Sequence, residues 1–219
     1  MLDSRSNIAL ACTLSALAGY VDGIGFIHLG GLFVSFMSGN STRLGVSLAD
    51  GDWFNSLEAL GLIAVFVVGA AIGSLIVRSR SPYCQAAILF VEGVLLCAAV
   101  VLNHIGHSGV AIAVIVVAMG LENTVFQIDG SSGLGLTYMT GALVKVGQFV
   151  AVALTGGDRW GWMPNLLLWA ALVVGAVLGA LAYHRSGLDA IWFAAALSLA
   201  LSAILTAATA RAVRRGNGD

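Results

Sequence analysis

Ionisable side chains within apolar stretches are the residues of this sequence best placed to do chemistry. Asp22, Glu92 and Glu122 each interrupt a run of apolar residues. Because a charged group inside a bilayer is costly, such residues tend to bind protons, ions or substrates. We therefore interpret all three as candidates for proton coupling. The structural alternative for Asp22 and Glu122 is an ion pair with Arg43 or Lys145, and for Glu92 it is a packed, protonated side chain.

Two short polar clusters, each containing a hydroxyl-glycine pair, are the second kind of candidate. The first is Ser38-Gly39-Asn40 and the second is Thr140-Gly141. A hydroxyl group at a helix start caps the first turn, and glycine lets another group approach the backbone closely. The free N–H groups and the partial positive charge of a helix N-terminus then favour an anion or a polar solute. The alternative is that both pairs simply terminate helices and bind no substrate.

These groups combine into one predicted site. Arg43 and Lys145 lie about one turn inside the two predicted helices and would give electrostatic support. Asp22 pairs with Asn123 in the best local register, at a shift of 101 residues. We predict a substrate-binding site with these members: Asp22, Ser38, Gly39, Asn40, Glu122, Asn123, Thr140 and Gly141. The spacing of Cys12, Cys84 and Cys97 is not that of a metal or redox site, so we predict no metal and no cofactor.

The composition around these residues is that of a polytopic membrane protein. Hydrophobic residues make up 59% of the 219 residues and charged residues 10%, and the mean hydropathy is +0.96. No long polar stretch leaves room for a soluble domain, so any activity lies within the bilayer or at its edge. The net charge of −1 predicts no nucleic-acid partner, and the lipid bilayer is the expected surrounding.

Six stretches are long and apolar enough to be predicted as transmembrane helices. They are residues 7–30, 56–77, 84–102, 108–128, 165–183 and 188–210. Two shorter segments, 38–49 and 140–154, follow the polar clusters. At 1.5 Å per residue the first of these reaches only about 18 Å, which indicates a half-helix. The second is more apolar and leaves a full crossing open as the alternative.

The distribution of arginine selects between six and eight crossings. With six spans and a cytoplasmic N-terminus, the positive-inside rule is satisfied. Arg5, Arg78, Arg80 and the arginine-rich C-terminal tail then share the cytoplasmic side, and Arg185 lies outside. With eight spans, Arg78 and Arg80 would face opposite the tail. We therefore predict six spans with both termini in the cytoplasm.

The chain also contains an internal repeat. Residues 31–49 match 133–151 at a shift of 102, and 67–75 match 173–181 at a shift of 106. We predict a first repeat over 1–105 and a second over 106–219, each with three spans and a half-helix. Since three is odd, the copies insert upside down relative to each other, which gives a 3+3 inverted repeat.

Each copy carries a Gly-xxx-Gly pattern, formed by Gly69 and Gly73 in the first and by Gly175 and Gly179 in the second. Small residues at this spacing allow close approach of two membrane helices. We favour packing inside the bundle over a homodimer seam through these faces.

Two stretches resemble the signature stretches of a known family. AGYVDGIGF and GGLFVSFMSGNSTRLG within 18–45, together with GLENTV and LTYMTGALVKVG within 120–147, are similar to those of the YoaK family. Its members are bacterial six-span membrane proteins built around a domain of unknown function. The resemblance implies a multi-pass protein of the bacterial inner membrane with a 3+3 design. Ser38 stands where the family more often has threonine, and Glu122 where an amide is more usual.

The function favoured by these patterns is transport. We predict a small inverted-repeat transporter or channel-like protein for a small polar or anionic solute, with proton coupling through the intramembrane carboxyl groups. The alternatives are a non-transporting membrane scaffold and a membrane-embedded enzyme acting on a lipid-like substrate. The sequence contains neither H-E-x-x-H nor G-x-S-x-G, so we do not predict an enzyme.

Overall fold

The computed structural model describes residues 5–126 and 139–216, and these ranges form an all-α protein. They contain no strand, which confirms the all-α part of the predicted fold class. A short 3-10 turn, Gly187–Ala190, separates the last two helices. The helices are α1 (Arg5–His28), α2 (Met37–Ala49), α3 (Trp53–Arg78), α4 (Cys84–His104), α5 (Ser108–Glu122), α6 (Met139–Leu154), α7 (Met163–Ser186) and α8 (Ile191–Gly216).

Four stretches of the described chain are long and apolar enough to cross a membrane. They are Asn7–His28, Trp53–Arg78, Cys84–His104 and Met163–Arg215. The last has 53 residues and contains both α7 and α8, which Gly187 separates with a φ of +59°. α5 is shorter, with 15 residues that reach about 22 Å. Its crossing, and with it the count of six spans, stays a prediction.

The two predicted half-helices correspond to α2 and α6, which have 13 and 16 residues. α2 begins at Met37, and its N-cap residue is Phe36, with no hydrogen bond from a capping side chain. The interpretation of Ser38 as the N-cap is therefore wrong. The preceding residues are fixed by side chains from elsewhere, described below, so the helix starts before Ser38. Thr140 lies within α6, which the structure describes from Met139 onwards.

Glycines bring the backbones of α1 and α7 into direct contact. A methyl group at Gly19 or Gly23 would overlap the backbone of α7, and one at Gly175 or Gly179 would overlap the backbone of α1. Lipid tails are as apolar as the helix surfaces, so association in a membrane depends on this close van der Waals packing. This packing is possible because the contact positions on both helices are glycines, which have no side chain.

The pair formed by α3 and α5 is built in the same way. Gly69 faces the carbonyl oxygen of Val117, Gly120 faces that of Phe66, and Gly73 faces the hydroxyl group of Thr124. Both Gly-xxx-Gly patterns thus pack inside the chain, as the sequence analysis favoured. Their faces are covered and are not available for a homodimer seam.

The outer faces of the same helices are apolar and exposed. Val67, Val68 and Leu75 of α3 are more than half exposed, as are Leu178 and Leu181 of α7. Large exposed apolar surfaces are rare on soluble proteins and mark contact with a partner or a membrane. These faces are where the helices contact lipid.

We expect Gly69→Ala to destabilise the protein by about 2 kcal/mol, since the added methyl group overpacks the α3–α5 contact. Gly61→Ala, on the same helix but with no atom within 4 Å of the added carbon, is the matched control. It should be neutral or slightly stabilising, because alanine favours a helix over glycine. Equilibrium unfolding in mixed micelles measures both. Equal stabilities for the two variants would contradict the close packing of α3 on α5.

Candidate functional site

Asp22 binds the backbone of the segment that joins α1 to α2. One oxygen of its carboxyl group, Oδ1, accepts hydrogen bonds from the N–H groups of Val34 at 2.9 Å and Ser35 at 2.7 Å. The other, Oδ2, accepts one from the Ser35 hydroxyl at 2.6 Å. Asp22 is 8% exposed, and both partners are buried. The carboxyl group therefore holds a non-helical turn in place inside the protein.

Asn40 completes this arrangement from the α2 side. Its Oδ1 accepts a hydrogen bond from the N–H of Phe33 at 2.9 Å, and its Nδ2 donates one to the carbonyl oxygen of Phe33 at 2.7 Å. Asn40 is fully buried. Irregular backbone is tolerated at membrane depth only where its polar groups are satisfied. Asp22 and Asn40 do this for Phe33–Ser35, and we call these residues together the loop clamp.

A cavity of about 620 Å³ lies between the loop clamp, α1, α6 and α7. This volume is typical of a small-molecule site. Asp22 and Thr140 are the polar residues in its described lining, and four aromatic residues, Phe26, Phe33, Phe36 and Trp169, line it as well. The cavity can therefore hold a largely apolar molecule and offer it hydrogen bonds at one carboxyl and one hydroxyl group.

Other predicted site residues lie outside this lining. Ser38 and Gly141 are exposed, and the face of Gly39 is covered by the rings of Phe33 and Phe36. Arg43 and Lys145 are exposed, and the guanidinium group of Arg43 lies beside Gly31. The structure thus brings Asp22 and Thr140 together and leaves the two predicted cations away from the cavity wall.

Glu92 and Glu122 form a second buried group. Both are 0% exposed, on α4 and α5, and Glu122 lies within electrostatic range of Glu92 and Asp22. Oε1 of Glu92 is 3.0 Å from the Ser198 hydroxyl. Within the described ranges, Oε2 of Glu92 and both carboxyl oxygens of Glu122 have no hydrogen-bond partner. Asp22 lines the cavity and also interacts electrostatically with Glu122.

The neighbours of Asp22 and Glu122 show whether these acids form the ion pairs considered from the sequence. Asn123 is half-buried and donates a hydrogen bond to the Met119 carbonyl oxygen at 2.9 Å. Neither Asp22 nor Glu122 pairs with Arg43 or Lys145 in the part of the chain described. The structural ion pair considered for these two acids is therefore wrong.

Sequence reasoning missed Ser35 and the aromatic wall of the cavity. A signal for the turn was present, because Gly30 and Gly31 have φ values of +61° and +106°, a backbone conformation that favours glycine. The aromatic residues at 33 and 36 follow directly and flank Ser35. A glycine pair before an aromatic and hydroxyl cluster therefore indicated a tight turn whose groups need partners.

We expect Asp22→Ala to destabilise the protein by about 3 kcal/mol, because it leaves two buried N–H groups without partners. Asp22→Asn keeps an acceptor oxygen for both N–H groups, and the Ser35 hydroxyl can rotate to accept from the new amide. It should therefore cost about 1 kcal/mol, as should the control Ser35→Ala, which loses one donor. Thermal unfolding and the protease sensitivity of the loop clamp rank the stabilities of the three variants. Equal stability of Asp22→Ala and the wild type would contradict the clamp.

Comparisons with known proteins place this chain in a family. Residues 10–204 match the family described as "Protein of unknown function (DUF1275)". The UPF0700 transmembrane protein RA0705 of Rhizobium meliloti (strain 1021) is 37% identical over 201 residues, which cover 91% of this chain and 86% of the relative. The UPF0700 transmembrane protein YoaK of Bacillus subtilis (strain 168) is 32% identical over 149 residues, covering 63% of this chain and 64% of the relative. No solved structure matches.

These matches confirm the resemblance to the YoaK family. Because both relatives are transmembrane proteins, they also support a membrane location for the apolar helices. The chain is a transmembrane protein that belongs to the DUF1275 family.

Proposed function

We propose that this protein is a small membrane transporter whose solute occupies the cavity between the loop clamp, α1, α6 and α7. The observation that carries the proposal is the position of Asp22 and Thr140 in one cavity of about 620 Å³. In the proposed repeat, these residues come from different copies. A solute bound between two copies of one unit is the arrangement on which alternating access depends.

The helix pairing supports the inverted repeat that this mechanism needs. A twofold relation between 1–105 and 106–219 would exchange the α1–α7 contact with the α5–α3 contact. Both are close-packed through glycines. The same relation, at the shift of 106, pairs Glu92 with Ser198, and these two side chains contact each other at 3.0 Å. Contact between equivalent residues is expected where a twofold axis passes between them.

The lining narrows the class of solute. The predicted small polar or anionic solute relied on two helix N-termini with electrostatic support from Arg43 and Lys145, and neither cation lies in the described lining. The acidic residue there is Asp22, and most of the remaining wall is apolar or aromatic. We therefore propose a small solute with an apolar or aromatic body and a hydrogen-bond donor, neutral or cationic. A cation also gains from contact with aromatic faces.

A lipid-like occupant is the second candidate, and the apolar wall of the cavity favours it. A protein that holds a lipid chain there would act as a membrane scaffold or as an enzyme on that lipid. The described lining offers an acid and a hydroxyl group, so acid-base chemistry is the reaction class that such an enzyme would use.

The orientation that we propose follows the charges. Six spans, with both termini in the cytoplasm of a bacterial inner membrane, place Arg78 and Arg80 inside. In this arrangement α2 and α6 are half-helices that enter and leave on one side. The length of α2, about 20 Å from its 13 residues, supports the half-helix.

We expect Ala180→Phe to lower solute binding and uptake at least about tenfold, because the added ring fills the cavity that Ala180 lines. Val174→Phe, on the same helix but outside the lining and 57% exposed, is the matched control and should retain both. Phenethylamine, benzoate and a fluorescent phosphatidylcholine are suitable probes. Binding is followed through the fluorescence of Trp169, with Trp169→Phe identifying its signal, and uptake in sealed vesicles.

Each probe separates one class of function. Uptake of phenethylamine supports the proposal, and binding of benzoate instead would restore the anionic solute. Phosphatidylcholine binding that Ala180→Phe alone abolishes, without uptake of either small solute, would favour the lipid-handling alternative. Equal uptake by Ala180→Phe and Val174→Phe would exclude the cavity as the solute site.

We expect single cysteines introduced as Ser81→Cys and Ser186→Cys to react with a membrane-impermeant thiol reagent from opposite faces. Six spans place the ends of α3 and α7 on opposite sides of the membrane, whereas eight spans place them on the same side. Cys12, Cys84 and Cys97 are replaced first, and both new positions are exposed. Labelling from one face only would overturn the six-span orientation.

A further inference from the structure

Glu92 and Glu122 lie outside the described cavity lining, and their carboxyl groups make few hydrogen bonds. Three of their four carboxyl oxygens have no partner in the described ranges, and both side chains are 0% exposed. A buried acceptor without a donor costs about 1–3 kcal/mol, and a buried unpaired charge costs considerably more. Two ionised carboxyl groups within electrostatic range of each other would add mutual repulsion. Binding of a proton by either carboxyl group removes its charge and lessens both costs.

The contacts of Ser198 favour a proton on Glu92. The Ser198 hydroxyl lies 3.0 Å from Oε1 of Glu92 and 3.1 Å from the carbonyl oxygen of Ala194. A hydroxyl group has one proton to donate, so it cannot fully satisfy two acceptors. If Glu92 carries a proton on Oε1, it donates to Ser198, and Ser198 donates to Ala194. Every proton in this chain of contacts then has an acceptor.

A metal cation fits this location less well than a proton. A bare cation needs several oxygen ligands around one point. The described residues contain no group of three or more His, Cys, Asp or Glu side chains placed to hold a metal ion. A proton needs only one oxygen and fits the packed interface between α4 and α5.

The charged surroundings agree with this assignment. The elements packed against α4 and α5 are α1, α3, α8 and the turn Gly187–Ala190. Among their titratable side chains, Asp22 of α1 lies near enough to Glu122 to interact with it electrostatically. Within the described ranges, no hydrogen bond joins Glu92 or Glu122 to the other titratable side chains on these elements, which are Cys12, Tyr20, His28, Glu58, Arg78, Asp189, Arg211, Arg214 and Arg215.

We propose that Glu92 and Glu122 form a proton-binding pair in the protein interior, which releases and regains a proton as the transporter changes conformation. Proton binding stands on the contacts above, and its coupling to solute movement rests on the proposed function. Release breaks one O–H bond, the proton passes to water, and the carboxylate keeps the electron pair. Water must therefore reach the α4–α5 interface for the step to occur. Asp22, which lines the cavity and interacts electrostatically with Glu122, links the pair to the cavity.

Infrared spectroscopy of the intact protein tests proton binding directly. The protein is placed in vesicles of ether-linked phospholipids, whose lack of ester carbonyls leaves the region of protonated carboxylic acids clear. At pH 7 we expect C=O bands in this region that shift to lower frequency in D₂O. Glu92→Gln should remove one and Glu122→Gln another. Glu58→Gln, which replaces a half-exposed acid of α3, is the matched control and should leave both unchanged.

Ser198→Ala provides a second variant that retains both acids. It removes the hydroxyl group that contacts Oε1 of Glu92, so the band lost in Glu92→Gln should move to higher frequency and the other should stay. This shift separates a proton on Glu92 from a purely structural role and does not depend on the glutamine variants being folded. Circular dichroism checks the helix content of each variant.

Other results would overturn the proposal. These are wild-type protein without acid bands at pH 7, bands that persist in both glutamine variants, and conversion of the bands to carboxylate when sodium is added at constant pH. The last would identify a metal cation as the ligand. Acid bands without movement of any solute would contradict the proposed transport and leave proton binding intact. Solute uptake without acid bands would contradict proton binding and leave the proposed transport intact.

Discussion

The structure depends on the hydrogen bonds that Asp22 makes to the non-helical backbone between α1 and α2. The chain leaves α1 after His28 and must supply partners for the N–H and C=O groups that no longer belong to a helix. A bilayer offers none, so every such group must find its partner inside the protein. Asp22 bonds Val34 and Ser35, and Asn40 bonds Phe33. The position of α2, and therefore one wall of the cavity, follows from these bonds.

This role changes the interpretation of an acidic residue inside a membrane span. Asp22 was expected to be functional because a buried carboxyl group is expensive. Its three hydrogen bonds to the clamp segment offset much of that cost, so its presence does not by itself require a substrate. Glu92 has one such bond, with Ser198, and Glu122 has none within the described ranges. The cost of burying a carboxyl group without partners is therefore greater for Glu92 and Glu122 than for Asp22.

Much of the helical arrangement was predictable because it follows from local composition. Runs of apolar residues gave α3, α4, α7 and α8 nearly to their ends, and the short polar segments gave α2 and α6. The start of α2 was not predictable from Ser38, since that start is set by Asp22 fifteen residues earlier. The aromatic lining was missed for a similar reason: Phe26, Phe33 and Trp169 meet only after α1 packs on α7. Tertiary contacts of this kind leave little periodic signal in a sequence.

The proposed repeat pairs the polar residues of the first copy with different side chains in the second. At positions related by the repeat, Asn40 corresponds to Ala142, and Asp22 to Asn123. Alanine has no amide group, so the side-chain hydrogen bonds that Asn40 makes to Phe33 have no counterpart at Ala142. Glu92 likewise corresponds to Ser198, and these partners contact each other instead of forming two acidic sites. Two equal copies would place two acids at the axis, where repulsion is greatest. Replacing one with a hydroxyl group removes that repulsion and supplies a hydrogen-bond partner, so divergence between the copies stabilises an acid that the symmetric arrangement would not.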